Sequence, residues 1–412
     1  SDPSQFMREI ILISFLGPDR PNQFTRLMQV LSVHSLQILD VGQAVIHNQL
    51  TLGIVVASDD QTATALAMKD ILILAHDIGL TVRFKPLSSQ EYDQWVSEGG
   101  RTRYIVTALA PELTAAHLQA VTNIVSSHGF NIETVTRLSG RPERDGQSSG
   151  PKRSCVQFGL SAQMLDAGAM REACLRLSAE SSIDVAVQED NAYRRNRRLV
   201  CFDMDSTLIE QEVIDELAIE AGVGDQVAEI TERAMQGELD FQQSFRARVA
   251  LLKGLDASVL PKIAERLTVT EGAERLISTL KSLGYKTAIL SGGFQYFAEY
   301  LQAKLGIDEV HANILDVQDG IVTGEVQGAI VDGARKAELL RGLAEKMGIS
   351  LEQAIAVGDG ANDLPMLSIA GLGVAFRAKP LVRQNANQAI SSVGLDGVLY
   401  LLGVHDKDLN RA

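Results

Sequence analysis

The chain has 412 residues, 45% of them hydrophobic and 22% charged, with a formal net charge of −14. The length predicts two or three domains rather than one core, and the negative charge argues against nucleic acid as the main partner. No apolar run reaches the ~18 residues of a membrane span and no basic-then-apolar segment opens the chain, so neither a membrane nor a secretory route is expected. Ser1 to Ser4 are set aside as a possible expression scar. Cys155, Cys174 and Cys201 have no metal-like spacing and cannot all pair, which suits a reducing cytoplasm.

In chain order, Arg8 to Phe15 reads as a strand, Arg20 to His34 as a helix, Leu36 to His47 and Leu50 to Ser58 as strands, Thr62 to Gly79 as a helix and Leu80 to Phe84 as a strand. This βαββαβ order then recurs: strand Arg103 to Ala110, helix Thr114 to His128, strands Phe130 to Leu138 and Ser154 to Ser161, helix Asp166 to Glu180, strand Ile183 to Val187. Two copies of one small α+β module are therefore expected, at 5–95 and 96–190. Ser139 to Arg153, rich in Gly, Ser and charge, reads as a mobile hairpin excursion. Arg194-Arg195-Asn196-Arg197-Arg198 lies at the next boundary and reads as a solvated linker, with a docking patch as the alternative.

From 191 to 412 the pattern changes. Short apolar runs at Leu199 to Phe202, Lys286 to Leu290, His311 to Ile314, Ala354 to Val357 and Gly373 to Phe376 each precede a turn or helix. That alternation predicts a doubly wound, mainly parallel α/β sheet. Glu210 to Leu267 is too long and helical for one crossover and reads as an inserted cap, at roughly 210–270. Asp316 to Gly328, with Gly-containing turns at Asp319-Gly320 and Thr323-Gly324, reads as a small hairpin.

Four segments carry chemistry. In Asp203-Met204-Asp205-Ser206-Thr207 a buried strand ends in two carboxylates that point the same way. Their repulsion needs a cation or a shared proton. Asp203 is assigned as a nucleophile toward phosphorus and Asp205 as the general acid and base, which requires its pKa to be raised. In Ser291-Gly292-Gly293, Ser291 and the Gly292 amide are expected to contact phosphate at a strand-to-helix turn. Lys336 would offset the negative charge, with Arg335 as its competitor. In Gly358-Asp359-Gly360-Ala361-Asn362-Asp363, Asp359 together with Asp203 and the Asp205 carbonyl suits Mg²⁺. There Asp363 would orient ligands, and Asn362 is a further candidate for the phosphate. No histidine falls in these segments, which disfavours zinc.

These four motifs, in this order, resemble the haloacid dehalogenase superfamily, with a Rossmann-like core. With the cap stretch Ala234 to Phe241 and Ser244 to Arg248, the likeness narrows to the phosphoserine phosphatase family, over about residues 199–405. The resemblance implies hydrolysis of O-phospho-L-serine to L-serine and phosphate through an aspartyl-phosphate. It implies Mg²⁺ on Asp203, Asp205 and Asp359, and the phosphoryl group on Ser291, Gly292, Lys336 and Asn362. Glu212 would take the substrate ammonium and Arg248 its carboxylate, while Met235 and Phe241 would close the pocket. The N-terminal modules resemble ACT domains, which often sense amino acids; this implies a homodimer and L-serine as a candidate effector. Gly17-Pro18-Asp19-Arg20-Pro21 matches their first loop, but Asn22 stands where the family commonly has glycine, and the second module has Ala110-Pro111-Glu112-Leu113 instead. Two other readings remain: an amino-acid sensor with a vestigial phosphatase half, and a phosphatase or phosphotransferase for another small amino-acid phosphate.

Overall fold

The structure, a computed structural model, describes residues 8–99, 101–144, 150–162 and 167–409. Ser1 to Ser4, residues 145–149 of the expected excursion and Asp166 lie outside the described residues. The chain forms two compact units, Ser1–Arg101 and Thr102–Ala412.

In the first unit, β1 (Glu9–Pro18), β2 (Gln37–Ile46), β3 (Gln49–Ser58) and β4 (Thr81–Leu87) form an antiparallel sheet in the order β2-β3-β1-β4. Helices Gln23–Val33 and Gln61–Asp77 cover one face. Alternation places Ile11, Ile13 and Phe15 of β1 in a core with Leu27, Leu31, Ile71 and Ala75 of the helices. Asn22 adopts a left-handed backbone, φ 68°, so this position asks for the conformation glycine gives most readily, and asparagine supplies it. A further helix, Ser89–Glu98, follows. The sequence reading passed over it because its apolar face is only Tyr92, Trp95 and Val96 and none of them is fully buried; a Ser88–Glu91 capping box is its local signal.

The second unit begins with the same topology: β5 (Thr102–Ala110), β6 (Asn131–Arg137), β7 (Ser154–Ala162) and β8 (Asp184–Glu189), ordered β6-β7-β5-β8. It continues into a seven-stranded sheet made of β9 (Leu199–Phe202), β10 (Lys286–Phe294), β11 (Glu309–Gln318), β12 (Ile321–Gln327), β13 (Ala354–Gly358), β14 (Leu372–Phe376) and β15 (Gln388–Ile390). Their order is β12-β11-β10-β9-β13-β14-β15, parallel except for the β11–β12 hairpin. The chain leaves β9 toward β10 and later returns to its other side at β13, so the switch point lies at the carboxyl end of β9.

The second module is joined to this sheet through buried polar contacts. Gln388 of β15 accepts from Val187 N at 3.0 Å and donates to Val187 O, completing the exposed edge of β8. Buried Asp184 accepts from Ser391 N and Ser392 N, both at about 3 Å. β15 escaped the sequence reading because three residues give no period.

Two expectations need correction. The arginine run is solvated only in part: Arg195, Asn196 and Arg198 are exposed, but Arg194 and Arg197 are 7% and 5% exposed, Arg194 reaching Gln157 of β7 at 3.2 Å. Thr323-Gly324 is not a turn but lies inside β12. Gly324 is needed there because a Cβ would stand 3.0 Å from Lys253 Cβ and 3.2 Å from Ala250 O of the cap.

The cap consists of helices Val213–Glu220, Gly224–Met235, Phe241–Ala250 and Val259–Arg266. Its two connections to the core pair with each other, Glu210 N to Thr268 O and Thr270 N to Leu208 O, each at 2.9 Å.

Candidate active site

β9 and β13 end side by side, in register Val357↔Phe202, so the next residues, Asp203 and Asp359, emerge together at the switch point. Asp203 Oδ1 accepts from Lys336 Nζ at 3.0 Å and from Met204 N at 2.9 Å. Lys336 also donates to Asp363 Oδ1 at 2.7 Å and is 0% exposed. It comes from the helix Gly333–Met347, whose N-cap Asp332 accepts from Arg335 N. The competitor Arg335 points outward and pairs with Glu338.

The carboxylates of Asp203, Asp359 and Asp363 bring oxygens within 4.8 Å of one another. Asp363 Oδ2 accepts from Asp359 N and Gly360 N, both at 3.0 Å, and its other oxygen holds Lys336. With both oxygens engaged, Asp363 braces the loop, while Asp203 and Asp359 have more coordination to offer. Glycine at 358 is required, since a Cβ would lie 2.5 Å from the Asp363 carboxyl carbon.

Crowding of like charge sets the titration. Burial, aided by Asp359 and opposed by Lys336, pushes Asp203 up to about 6. Burial, then the Asp363 carboxylate, pushes Asp359 up to about 7. Asp363 also rises to about 7, through burial and Asp203. Burial alone would lower the Lys336 ammonium, but the Asp203 and Asp363 carboxylates outweigh it and hold it above its ordinary range. Two buried acids and half-buried Asp359, with one cation among them, form an all-oxygen donor set short of positive charge, which fits a hard divalent ion.

Asp205 is half-buried. Its Oδ1 accepts from Val213 N at 3.3 Å, and Oδ2 faces Gly293, where a Cβ would stand 2.7 Å away. Its carboxyl is raised well above the usual range by burial first and then by Glu212 and Asp203.

Ser291 is fully buried, with its Oγ accepting from Gly293 N at 2.9 Å. Asn362 Nδ2 lies 3.5 Å from where a Gly292 Cβ would be, and Phe241 Cζ lies 3.0 Å from it, so these two side chains flank Gly292. Phe241 stacks on Phe245 at 5.9 Å. Met235 is 65% exposed, its sulfur 3.9 Å from Lys379 Nζ.

Glu212, at the cap's first helix, accepts from Ser206 Oγ at 2.7 Å. It is raised by crowding protein atoms, against the Ser206 bond, with Arg248 also lowering it. Its exposed side chain tempers that burial effect. Arg248 is half-buried and held by Ser244 O at 3.3 Å. Burial lowers it, while Asp215, Glu212 and Asp205 raise it.

Three residues passed over in the sequence support these groups. Ser206 takes a left-handed φ of 58° and holds Glu212, and Thr207 Oγ1 donates to Asp359 at 2.9 Å. Buried Asn313 ties Gly292 O to Val331 N at 2.9 and 2.8 Å. Ser206 and Thr207 were visible in the motif; Asn313, inside β11, carried no local signal.

Comparison with known proteins agrees with this geometry. The haloacid dehalogenase-like hydrolase family matches residues 197–371, and an ACT domain family matches residues 9–85. A phosphoserine phosphatase of Streptomyces coelicolor is 40% identical over 98% of this chain and 94% of its own length. The chain belongs to the phosphoserine phosphatase family. It is thus a phosphatase with an ACT-type N-terminal part. A phosphoserine phosphatase of Mycobacterium tuberculosis is 39% identical, over 98% of this chain and 95% of its own. Among solved structures, a probable phosphoserine phosphatase from Vibrio cholerae superposes with TM-score 0.58 at 35% identity, covering 76% of this chain and 90% of that one. A haloacid dehalogenase family hydrolase from Salmonella enterica serovar Typhi gives 0.63 at 30% identity, covering 73% and 98%.

Proposed function

We propose that the chain hydrolyses O-phospho-L-serine to L-serine and phosphate. The observation that carries this reading is the buried Asp203–Lys336–Asp363 chain beside Asp359, with Asp205, Glu212 and Arg248 facing it. Asp203 Oδ1 is taken by Lys336 and the Met204 amide, which leaves Oδ2 to attack phosphorus. Asp205, protonated in its crowded position, gives its proton to the departing serine oxygen. It then takes one from the water that attacks the phosphorus of the aspartyl-phosphate, so that the O–P bond to Asp203 breaks and phosphate leaves. Ser291, the Gly292 amide, Lys336 and Asn362 hold the phosphoryl oxygens. Glu212 receives the ammonium and Arg248 the carboxylate. Phe241 covers Gly292 and, with Met235 as the cap closes, keeps water out.

Mg²⁺ would sit on Asp203, Asp359 and the Asp205 carbonyl, with Asp363 bracing the loop. When bound it neutralises charge developing on the phosphoryl group. We read 5–95 and 96–190 as ACT-like domains and 191–412 as the phosphatase domain, with L-serine as an effector and a homodimer as the assembly. The three free, buried thiols suit the cytoplasm. Among the described residues no helix is long and apolar enough to cross a membrane.

The test is phosphate release from L-phosphoserine with Mg²⁺, with EDTA and with added L-serine. Rapid release abolished by EDTA supports the reading. A folded sample that releases none would favour an amino-acid sensor or another small phosphate as substrate.

A further inference from the structure

The cap helix Phe241–Ala250 meets the core at the mouth of the acidic cluster. Its first residue, Phe241, sets its Cζ 3.0 Å from where a Gly292 Cβ would be. Val331 O lies 3.5 Å from that same point, so Phe241 of the cap and Val331 of the core both border the Gly292 turn. The residue after each then meets the other: Gln242 Nε2 donates to Asp332 Oδ2 at 2.9 Å. Cap and core are thus bonded one step along the chain from the two groups beside Gly292.

Asp332 is the N-cap of the helix that carries Lys336. Its Oδ1 accepts from Arg335 N and its backbone carbonyl from Lys336 N, each at 2.9 Å. The chain here has little room to shift, since Asn313 holds Val331 N at 2.8 Å and a Gly333 Cβ would stand 2.9 Å from Asn362 O. Asp332 is therefore a fixed anchor. The Gln242 bond and then the Arg335 amide hold its carboxyl below the ordinary range, so Gln242 meets an anion and the bond is charge-assisted. The cap side is also ordered: Asp240 caps the helix start through Gln243 N at 2.7 Å, and Phe245 rests on Phe294 of the core with ring centres 5.8 Å apart. The rest of the cap joins the core through its two connections and against the edge strand β12, where Gly254 N donates to Val322 O at 2.9 Å and Ala257 N to Gly320 O at 2.8 Å.

Gln242 is exposed and Asp332 half-buried, so their bond adds little to folding, and its leverage is on where the cap sits. We propose that Gln242 is a positioning residue whose bond to Asp332 latches the cap over the Gly292 turn, favouring the closed state without touching substrate. This role rests on reading the acidic cluster as the phosphatase site, and it goes beyond closure in naming what holds the cap shut. Losing one such bond should shift the balance between open and closed caps by about threefold to tenfold.

The test is steady-state hydrolysis of L-phosphoserine with Mg²⁺ by the full chain, with calorimetric binding of inorganic phosphate measured beside it. Gln242→Leu should raise KM and weaken phosphate binding by about threefold to tenfold each. Its kcat should stay within about twofold of wild type, because Asp332 still caps the Lys336 helix. Gln242→Glu sets a second carboxylate against Asp332 and should be impaired at least as much. Combining Gln242→Glu with Asp332→Asn exchanges donor and acceptor while asparagine still caps the helix, and should return KM to within about twofold of wild type. Unchanged KM and phosphate affinity in Gln242→Leu would overturn the latch. So would a fall in kcat at constant KM, the mark of a role inside the folded site, or a double variant no better than Gln242→Glu. If wild type releases nothing from phosphoserine, the substrate reading alone fails and the phosphate affinities decide the latch; a wild type that binds no phosphate either overturns both.

Discussion

Lys336 is the cation on which the acidic cluster depends, so Lys336→Met is the sharpest perturbation. The side chain is fully buried, 3.0 Å from Asp203 and 2.7 Å from Asp363. Methionine keeps most of the volume, so packing changes little and the lost term is electrostatic. At an effective dielectric constant of about 20, each contact of ~3 Å is worth roughly 5 kcal/mol of attraction before desolvation is subtracted. Removing one partner of a buried ion pair costs about 3–5 kcal/mol, because the remaining charges stay buried and uncompensated. Urea denaturation in EDTA should show a loss of that size, and added Mg²⁺ should restore part of it, since the ion binds only the folded cluster. Phosphoserine turnover should fall by about 10²–10³ or more, the usual effect of removing a donor aimed at developing charge. A variant that unfolds at the wild-type urea concentration in EDTA, with turnover within threefold, would refute the reasoning.

Asp203→Asn should abolish turnover while circular dichroism and melting remain native, because it removes the proposed nucleophile yet relieves a crowded charge; measurable multiple turnover would contradict the assigned role. Arg248→Ala should reduce kcat/KM for phosphoserine by about 10–100-fold, the worth of a charge-assisted hydrogen bond, and should leave an aryl phosphate nearly unaffected. Equal losses on both substrates would remove Arg248 from carboxylate recognition. Gly293→Ala should lower kcat without changing stability greatly, since its Cβ would stand 2.7 Å from Asp205 Oδ2 and displace the proton donor; an unchanged kcat would count against that placement. Asp406 accepts from Gly140 N at 2.7 Å, Tyr400 Oη at 2.8 Å and Arg275 Nη2 at 3.2 Å. Burial raises it, but these bonds win and its carboxyl sits below the usual range. The stability this gives is complete above the unfolded pKa of about 4 and is lost as pH falls through the lower folded value. Asp406→Asn should therefore cost about 1–2 kcal/mol at pH 7, and that cost should shrink progressively as pH falls below about 4; a constant difference across pH would argue against it.

Sequence alone determined the parts of this protein that repeat or that end in chemistry. The βαββαβ order was legible because half-buried antiparallel strands alternate and their helices carry an apolar stripe, as β1 and the helix Gln23–Val33 do. Asp203 and Asp359 were legible because carboxylates after buried strands need a reason beyond folding. What lacked a local period stayed hidden: the polar helix Ser89–Glu98, three-residue β15, and Asn313, whose role exists only where β11 meets the Gly292 turn. Tertiary structure alone decided which cations are buried. Nothing in Arg194 to Arg198 separates buried Arg194 and Arg197 from exposed Arg195 and Arg198, and nothing in Gly333 to Ala337 separates Lys336 from Arg335. A helix turns adjacent residues about 100° apart, so one of that pair faces the carboxylates and the other faces water. Which one does so is fixed by how the helix Gly333–Met347 packs on the sheet.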